Sequence, residues 1–220
     1  MFRTLKTMKI IGLTAGLGLA CAVSAQADDF KPLHKGSFIV DARATTVAPK
    51  ESGNILTAAG VDSGLDVSIN NNTIPSLGLV YFLTDHVAVD LTLGTSKHTI
   101  KAVGPATNVA VHDTWVLPPV VAIQYHFMPT SKVNPYVGAG LNYMLFYSGK
   151  DKNGFTVKLK NGFGYAVQGG VDVALSGPWT LNLDAKKVWF DTNARINGGA
   201  LKSKVTLDPT VISVGFGYRF

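Results

Sequence analysis

The chain has 220 residues, of which 46% are hydrophobic and only 15% are charged. Charged residues make up about 25% of an ordinary soluble domain, so this composition speaks against such a domain and hints at a membrane protein. The formal net charge is +6, but Arg3, Lys6 and Lys9 supply half of it from an N-terminal segment that we expect to be removed. This weakens the argument for nucleic-acid binding, which we do not predict.

Residues 1–27 are typical of a cleaved signal peptide. Their positive start is followed by an apolar run over residues 10–23 and by the small-x-small sequence Ala25-Gln26-Ala27. The run is shorter than the roughly 20 residues that span a bilayer. A buried helix, a membrane anchor and a lipoprotein acylated at Cys21 are weaker alternatives. Cys21 is the only cysteine, so the mature chain, residues 28–220, is predicted to be one domain without disulfides.

Eight segments of the mature chain alternate apolar with polar or small residues at a period of two, which is typical of β-strands. They cover residues 38–45, 76–83, 87–94, 114–127, 137–146, 163–175, 181–189 and 211–220. Short connectors (84–86, 128–134 and 176–178) alternate with long ones (48–68, 96–113, 148–161 and 193–204). An even number of strands, with short turns at one end and long loops at the other, predicts an all-β fold: an eight-stranded antiparallel transmembrane β-barrel of the outer membrane.

The distribution of charge between the two faces separates this barrel from a soluble sandwich or lipocalin-like barrel, which would place charge outside. One face of most segments is almost entirely aliphatic and aromatic, and the other carries the charges. Such a barrel faces lipid with its apolar side. Aromatic residues near the segment ends predict two girdles: Tyr81, Tyr125, Phe127, Trp179, Tyr218 and Phe220 below, and Trp115, Tyr143, Tyr165 and Trp189 above. The last segment, "VISVGFGYRF", also resembles the signal that the bacterial barrel-insertion machinery recognises.

The strand directions give each inward residue an approximate height. They predict a polar floor in the lower and middle lumen, made of Asp41, Arg43, Asp90, Asp172, Asp184, Lys186 and Arg219. They predict an apolar upper chamber lined by Ile74, Val116, Val120, Met144, Phe146, Val188, Phe190 and Val211. Eight strands leave a lumen that side chains can fill, and buried charges must pair. A paired floor is closed, so porin-like diffusion of hydrophilic solutes is not expected.

Several stretches together resemble the OmpW family of small outer-membrane proteins, which includes alkane-uptake members of the AlkL type. They are "LGLVYFLTDHVAVDL" (77–91), "LPP" (117–119), "QYHF" (124–127), "NPYVGAGLNY" (134–143), "WTLNLDAKKVWFDT" (179–192) and "LDPTVISVGFGYRF" (207–220). The resemblance implies an eight-stranded barrel that passes small hydrophobic molecules. Lys187 departs from the pattern, because an apolar residue is expected at this lipid-facing position. Either the side chain snorkels to the outer headgroups or a bulge changes its direction.

An apolar solute in the chamber could hardly cross the polar floor, so we hypothesise that it leaves sideways into the bilayer. Four prolines motivate this, because proline donates no backbone hydrogen bond and weakens a β-ladder: Pro75, Pro118, Pro119 and Pro209. The alternative is that they only shape bulges or strand ends.

Other functions have weaker support. No Ser–His–carboxylate spacing marks a nucleophile, so catalysis is not predicted. His98 and His112 could approach each other, but two histidines are a weak metal signal, and neither a metal nor a cofactor is predicted; His86 and His126 are expected to face water or headgroups. Lysines in the long connectors could bind lipopolysaccharide phosphates: Lys150, Lys152, Lys158, Lys160, Lys202 and Lys204. The expected partners are therefore outer-membrane lipid, lipopolysaccharide and small hydrophobic solutes. A structural or receptor barrel that binds lipopolysaccharide without transport is the alternative function.

Overall fold

The computed structural model describes residues 30–220, so the predicted signal peptide, residues 1–27, lies outside the described residues. The described part is built from β-strands with one short 3-10 turn, Asn197–Gly199. The strands are β1 (Phe38–Ala48), β2 (Glu51–Ser52), β3 (Asn54–Thr57), β4 (Asp62–Ile69), β5 (Asn72–Phe82), β6 (Val87–Gly94), β7 (Ser96–Gly104), β8 (Thr107–Leu117), β9 (Val120–His126), β10 (Val133–Asp151), β11 (Val157–Leu159), β12 (Gly162–Ala174), β13 (Trp179–Ile196), β14 (Leu201–Leu207) and β15 (Thr210–Arg219). Among residues 30–220 there is no helix of the length and hydropathy that a membrane crossing needs.

Eight of these strands close into an antiparallel ring. β1 pairs with β5 on one side and with the C-terminal β15 on the other, so the first and last strands are neighbours. The order around the ring is β1, β5, β6, β9, β10, β12, β13, β15. This confirms the predicted eight-stranded antiparallel barrel. A closed ring pairs its backbone groups internally and leaves no edge, as a lipid environment requires.

The remaining strands extend the barrel at the end that carries the long connectors, which we call the outer end. β7 and β8 form a hairpin that continues β6 and β9, and β3, β4, β11 and β14 add to the same outer sheet. The prediction that 48–68, 96–113, 148–161 and 193–204 are loops was therefore wrong. These segments point apolar residues inward, such as Ile100 and Ile196, but their outer faces are polar, so they lack the lipid-facing pattern that identified the other strands.

The faces of the ring strands follow the predicted alternation. On β1, Ile39, Asp41 and Arg43 are buried, and on β12 the outward Phe163 and Tyr165 are 74% and 69% exposed. Aromatic rings pair near the lower end, where Trp179 and Tyr218 have centroids 5.2 Å apart. Such bands of exposed aromatic residues are typical of barrels that cross a bilayer.

Lys187 lies on the outward face of β13 without a bulge, because its pairing with Val167 of β12 is in continuous register. The bulge considered for this position was wrong. Its Nζ atom donates a hydrogen bond to the backbone oxygen of Asp208. The ammonium group of Lys187 is therefore held by a backbone oxygen that lies beyond the last pair between β13 and β15. The Lys187 side chain is only half-buried.

The lower end is closed by the segment that precedes β1. Leu33 is buried against Ile39, Val80 and Phe82, and its backbone N–H donates to the oxygen of Pro129, 2.9 Å away, in the turn between β9 and β10. The interior of the barrel therefore has an apolar plug below the polar floor.

Candidate functional site

The middle of the barrel contains a network of buried ion pairs. Nη2 of Arg43 lies 2.8 Å from Oδ2 of Asp41 and 3.7 Å from Oδ1 of Asp90. Nζ of Lys186 lies 3.2 Å from Oδ2 of Asp90 and 2.9 Å from Oδ1 of Asp184. All five side chains are at most 3% exposed. Because each cation bridges two carboxylates, the network ties β1, β6 and β13 together across the lumen.

Neutral polar side chains extend the network. Tyr136 donates from its hydroxyl to Oδ2 of Asp184 at 2.8 Å, and Asn182 donates to Oδ1 of Asp172 at 2.8 Å. Gln168 bridges Lys186 and Asp90. Tyr136 was missed in the sequence because the predicted strand began one residue later, at Val137. The inward alternation of Asn134, Tyr136 and Gly138 is the signal that an earlier strand start would have revealed.

Arg219 occupies a different place from the other residues of the predicted floor. It is half-exposed at the lower end, where Nη1 donates to the backbone oxygen of Lys31 at 3.1 Å. Its guanidinium carbon lies 5.3 Å from the centre of the Phe30 ring. Arg219 therefore holds the N-terminal segment rather than joining the ion pairs of Arg43 and Lys186.

Glycines on the inward face make room for these charges. A Cβ atom at Gly215 would lie 2.5 Å from Cγ of Arg43, and one at Gly217 would overlap with the carboxylate of Asp41. A Cβ at Gly170 would lie 2.5 Å from the hydroxyl of Tyr136. The small face of the C-terminal strand is thus explained by close packing against a crowded polar interior.

Above the network lies an apolar cavity of about 120 Å³, which we call the chamber. Its wall includes Ile74, Val116, Val120, Met144, Phe146, Val188 and Val211, together with Ile55, Val67, Ile100 and Val205 from the outer strands. Phe190 is not in the wall; it is 4% exposed and its ring packs 6.2 Å from that of Phe146. Lys186 reaches the bottom of the chamber, so the chamber sits directly on the ion pairs.

Most polar side chains in the chamber wall have partners within the protein. Oγ1 of Thr92 donates to Asp90 at 3.1 Å. Nε2 of His98 lies 2.8 Å from Oγ of Ser96, and its other ring nitrogen lies 2.9 Å from the oxygen of Asn70. These groups are not available to hydrogen-bond a solute, which makes the wall more apolar than its composition suggests.

Pro118 and Pro119 separate β8 from β9 and interrupt a ladder beside the chamber. The ladder between β6 and β9 ends at the pair Thr92 and Val120. Pairing resumes between β7 and β8 at Ser96 and Val116. The predicted continuous strand over 114–127 is therefore divided at the two prolines. Both prolines are half-buried, and Pro118 lines the chamber.

The other two prolines lie at different positions. Pro75 is exposed on β5, opposite Ala44 of β1, just beyond the last pair between β5 and β6. It borders the same unpaired stretch as Pro118 but does not line the chamber. Pro209 lines the chamber at a second interruption, between β14 and β15, where its oxygen accepts from the N–H of Val188 at 3.1 Å. The four prolines therefore mark two separate sites in the wall.

One of the four histidines singled out in the sequence differs from its expectation, since His86 is exposed as predicted and His126 is not. His126 is fully buried, with its ring 4.6 Å from Phe82 and 5.0 Å from Tyr136, so the prediction that it faces water or headgroups was wrong. His98 is bound as described above, and His112 lies 2.9 Å from Asp151. Among residues 30–220 no three His, Cys, Asp or Glu side chains are grouped as a metal site would require.

Known proteins resemble the chain over most of its length. A model of the OmpW family matches residues 34–220. The chain is 39% identical over 182 residues to the uncharacterised outer-membrane protein y4mB of Sinorhizobium fredii, covering 81% of this chain and 77% of that protein. It is 34% identical to outer membrane protein W of Escherichia coli, and the match covers 84% of this chain and 89% of that protein. It is 27% identical to outer membrane protein AlkL of Ectopseudomonas oleovorans, and the match covers 78% of this chain and 76% of that protein.

A solved structure agrees with these matches. The crystal structure of the outer membrane protein OprG from Pseudomonas aeruginosa superimposes with a TM-score of 0.80 at 29% sequence identity. The match covers 87% of this chain and 99% of OprG.

Proposed function

Because the chain belongs to the OmpW family of outer-membrane proteins, we propose that it is a passive conduit for small hydrophobic molecules. A solute enters the apolar chamber from the outer end and leaves sideways into the bilayer. The protein is an outer-membrane barrel and not an enzyme, so the chemistry to be explained is partition and diffusion rather than catalysis.

The observation that carries this proposal is an apolar chamber that ends on a buried ion-pair network. An ion or polar solute that enters the chamber loses its hydration and finds no hydrogen bonds with residues such as Val120, Met144 and Val188. To cross the floor, a solute would have to separate Arg43 from Asp41 and Lys186 from Asp90, which are buried pairs. Removing one partner of such a pair typically costs about 3–5 kcal/mol. A straight path to the periplasm is therefore unfavourable.

Sideways exit is supported by the interrupted ladder next to the chamber. Between Thr92 and Ser96, where β6 passes into β7, and the facing residues between Val116 and Val120, where β8 passes into β9, no backbone pairs join the wall. A wall section without these pairs needs fewer broken hydrogen bonds to open. Pro118 belongs both to this section and to the chamber wall, so an opening here would connect the chamber with lipid.

Filling the chamber tests the conduit. We expect Val188→Phe to reduce indole uptake to the level of protein-free vesicles, measured in liposomes whose outer leaflet contains lipopolysaccharide. The matched control is Val137→Phe, because Val137 is 50% exposed on the outer face; this variant should transport normally. Circular dichroism verifies that both variants are folded barrels. Undiminished uptake by a folded Val188→Phe barrel would refute the conduit.

A second candidate function, binding of lipopolysaccharide, is favoured by a row of cations on the outer strands. Arg195 of β13 lies in register with Lys158 of β11 on one side and with Lys202 of β14 on the other. All three are exposed, and in the described part of the chain none of them forms an ion pair, whereas Lys204 pairs with Asp191 at 3.3 Å. Like charges directly opposite each other destabilise a sheet, so an external anion would relieve the row.

Replacing Lys158, Arg195 and Lys202 by Gln tests this binding. Lipopolysaccharide with its phosphorylated core should then bind more weakly, and the loss should shrink as salt increases, because salt screens exposed charges. Lys35→Gln, at the lower end, is the control. Equal binding by the triple variant would exclude the row as a lipopolysaccharide site.

A further inference from the structure

Asn142 is a lone carboxamide in an apolar part of the lumen. It lies on the inward face of β10, opposite Val120 of β9 and Gly164 of β12, and it is 1% exposed. Val120 forms an apolar cluster with Ala166 and Val188 at this height. Asn142 also lines the chamber, so its side chain stands between the apolar wall and the ion pairs below.

The orientation of this carboxamide follows from its one hydrogen bond. Nδ2 of Asn142 donates to the backbone oxygen of Pro119 at 3.3 Å. Because that oxygen can only accept, the nitrogen must face it and the oxygen Oδ1 must point away. Oδ1 is buried and has no hydrogen-bond partner in residues 30–220. Buried acceptors are nearly always paired, so a free one at the wall of a cavity indicates a missing donor.

Other polar groups in the same wall do not share this property. Thr45 is hydrogen-bonded to Ser76 at 2.6 Å and to Ser213 at 2.8 Å, and Thr92 and His98 are bonded as described above. Asn142 therefore provides an acceptor where its neighbours provide none. A hydrocarbon cannot use this acceptor, and a carboxylate would be repelled by it.

From this placement we propose that Asn142 is a hydrogen-bond anchor, so that the chamber prefers small solutes with one hydroxyl or N–H group on an otherwise apolar body. This rests on the proposed uptake function. The chamber volume of about 120 Å³ is close to that of engineered apolar cavities that hold benzene, about 150 Å³. Single-ring phenols and N–H heterocycles are thus the class that fits, in preference to alkanes or plain arenes.

The chain offers its own reporter of occupancy. Met128 and Met144 are the methionines that follow residue 27; Met144 lines the chamber, while Met128 is 50% exposed in a lower turn. With methyl-labelled protein in nanodiscs, toluene and phenol should shift the Met144 signal and leave that of Met128 in place. The ratio of the two dissociation constants is then measured for wild type and for Asn142→Leu. Bilayer partition is the same for both proteins and cancels.

We expect Asn142→Leu to reduce the preference for phenol over toluene roughly 3- to 10-fold, which corresponds to one net hydrogen bond. Pro119 keeps a partner in this variant, because its oxygen also accepts from the N–H of Tyr143 at 3.1 Å. Asn108→Leu, at an exposed position of the outer hairpin, is the matched control and should preserve the preference.

The wild-type protein gives a second test that needs no variant. Anisole, in which the phenol donor is methylated, should bind more weakly than phenol once its partition into empty nanodiscs is taken into account. Toluene binding with no preference for phenol over toluene or anisole would overturn the anchor and leave the conduit intact. No shift of Met144 with any of the three compounds would overturn both proposals.

Discussion

Nη2 of Arg43 lies 2.8 Å from Oδ2 of Asp41, and both side chains belong to the inward face of β1. The two residues are separated by one position, so the strand itself brings them to the same face. Because the same guanidinium also approaches Asp90, Arg43 compensates carboxylates from two strands at the centre of the barrel.

Replacing Arg43 should therefore destabilise the barrel strongly. In Arg43→Leu, Asp41 loses its cation while remaining buried, and we expect the free energy of unfolding to fall by about 3–5 kcal/mol. Urea titration of protein refolded in phospholipid vesicles measures this. Arg219→Leu is the matched control: its loss should be about 1 kcal/mol, because Arg219 is half-exposed and makes one backbone hydrogen bond. Equal losses in the two variants would contradict the central role of Arg43.

Close packing around Arg43 predicts that Gly215 cannot carry a side chain. In Gly215→Ala the new Cβ would lie 2.5 Å from Cγ of Arg43 and 2.9 Å from the oxygen of Ala42. Such overpacking typically costs about 1–3 kcal/mol. At Gly169 a Cβ would meet its nearest atom at 3.7 Å, so Gly169→Ala should change stability by less than about 0.5 kcal/mol. The two variants are compared in the same urea titration, and a tolerated Gly215→Ala would disprove the packing argument.

The sequence predicted the ring strands and their faces because lipid and lumen impose opposite requirements on alternate residues. It did not predict the outer strands. In these strands the inward residues are still apolar and buried, as are Ala194 and Ile196 of β13. The outward residues, however, face water, so their composition resembles that of a loop. Hydrophobic alternation therefore shows where the membrane is rather than where the strands end.

The partners inside the lumen were also beyond sequence reasoning. Lys186 binds Asp90, which is 96 residues away in the chain, and only the register around the closed ring brings the two together. Arg219 has the same inward direction as the floor residues but lies too low to join them. Whether a side chain points inward follows from its place in the two-residue alternation. Its height in the barrel and the partner it meets depend on strand tilt and stagger.

Acid should loosen the outer hairpin through Asp113. Its carboxylate lies 2.9 Å from Nζ of Lys152 and 3.4 Å from Nζ of Lys97, and accepts from Thr99 at 2.8 Å. The hydrogen bond from Lys152, followed by those from Thr99 and Lys97, lowers the pKa of Asp113 to about 2. Because this folded value lies below the unfolded value of about 3.9, Asp113 adds stability above pH 4 that is lost as the pH falls towards 2.

The variant Asp113→Asn should therefore be less stable than wild type at neutral pH, by up to about 2 kcal/mol, and equally stable near pH 2. Limited proteolysis of the outer hairpin between pH 7 and pH 2, with an acid-active protease below pH 4, measures the difference. Asp191→Asn is the control, because the carboxylate of Asp191 is 52% exposed where it pairs with Lys204; it should show a smaller effect. A difference that persists at pH 2 would assign the effect to packing instead of charge.

Restoring hydrogen-bond donors beside the chamber should slow sideways exit. In the double variant Pro118→Val/Pro119→Val, the two new N–H groups face opposite neighbours, because successive residues of a strand direct their backbone groups to opposite sides. The N–H of residue 118 can pair with the stretch between Thr92 and Ser96, and that of residue 119, whose oxygen accepts from the N–H of Tyr143, can pair with β10. Each pair is worth about 0.5–1.5 kcal/mol, so indole uptake into liposomes should fall roughly 3- to 10-fold while the chamber stays open. Phenol should therefore still shift the Met144 signal in this variant.

Pro135→Val is the control for this substitution, because Pro135 lies low in β10 and continues in register with Val171 of β12. It should transport at the wild-type rate. Unchanged uptake by the double variant would remove the wall at Pro118 and Pro119 as the exit. Pro209→Val would then test the second interruption, where the oxygen of Pro209 accepts from the N–H of Val188 and the new N–H would face the same strand, β13.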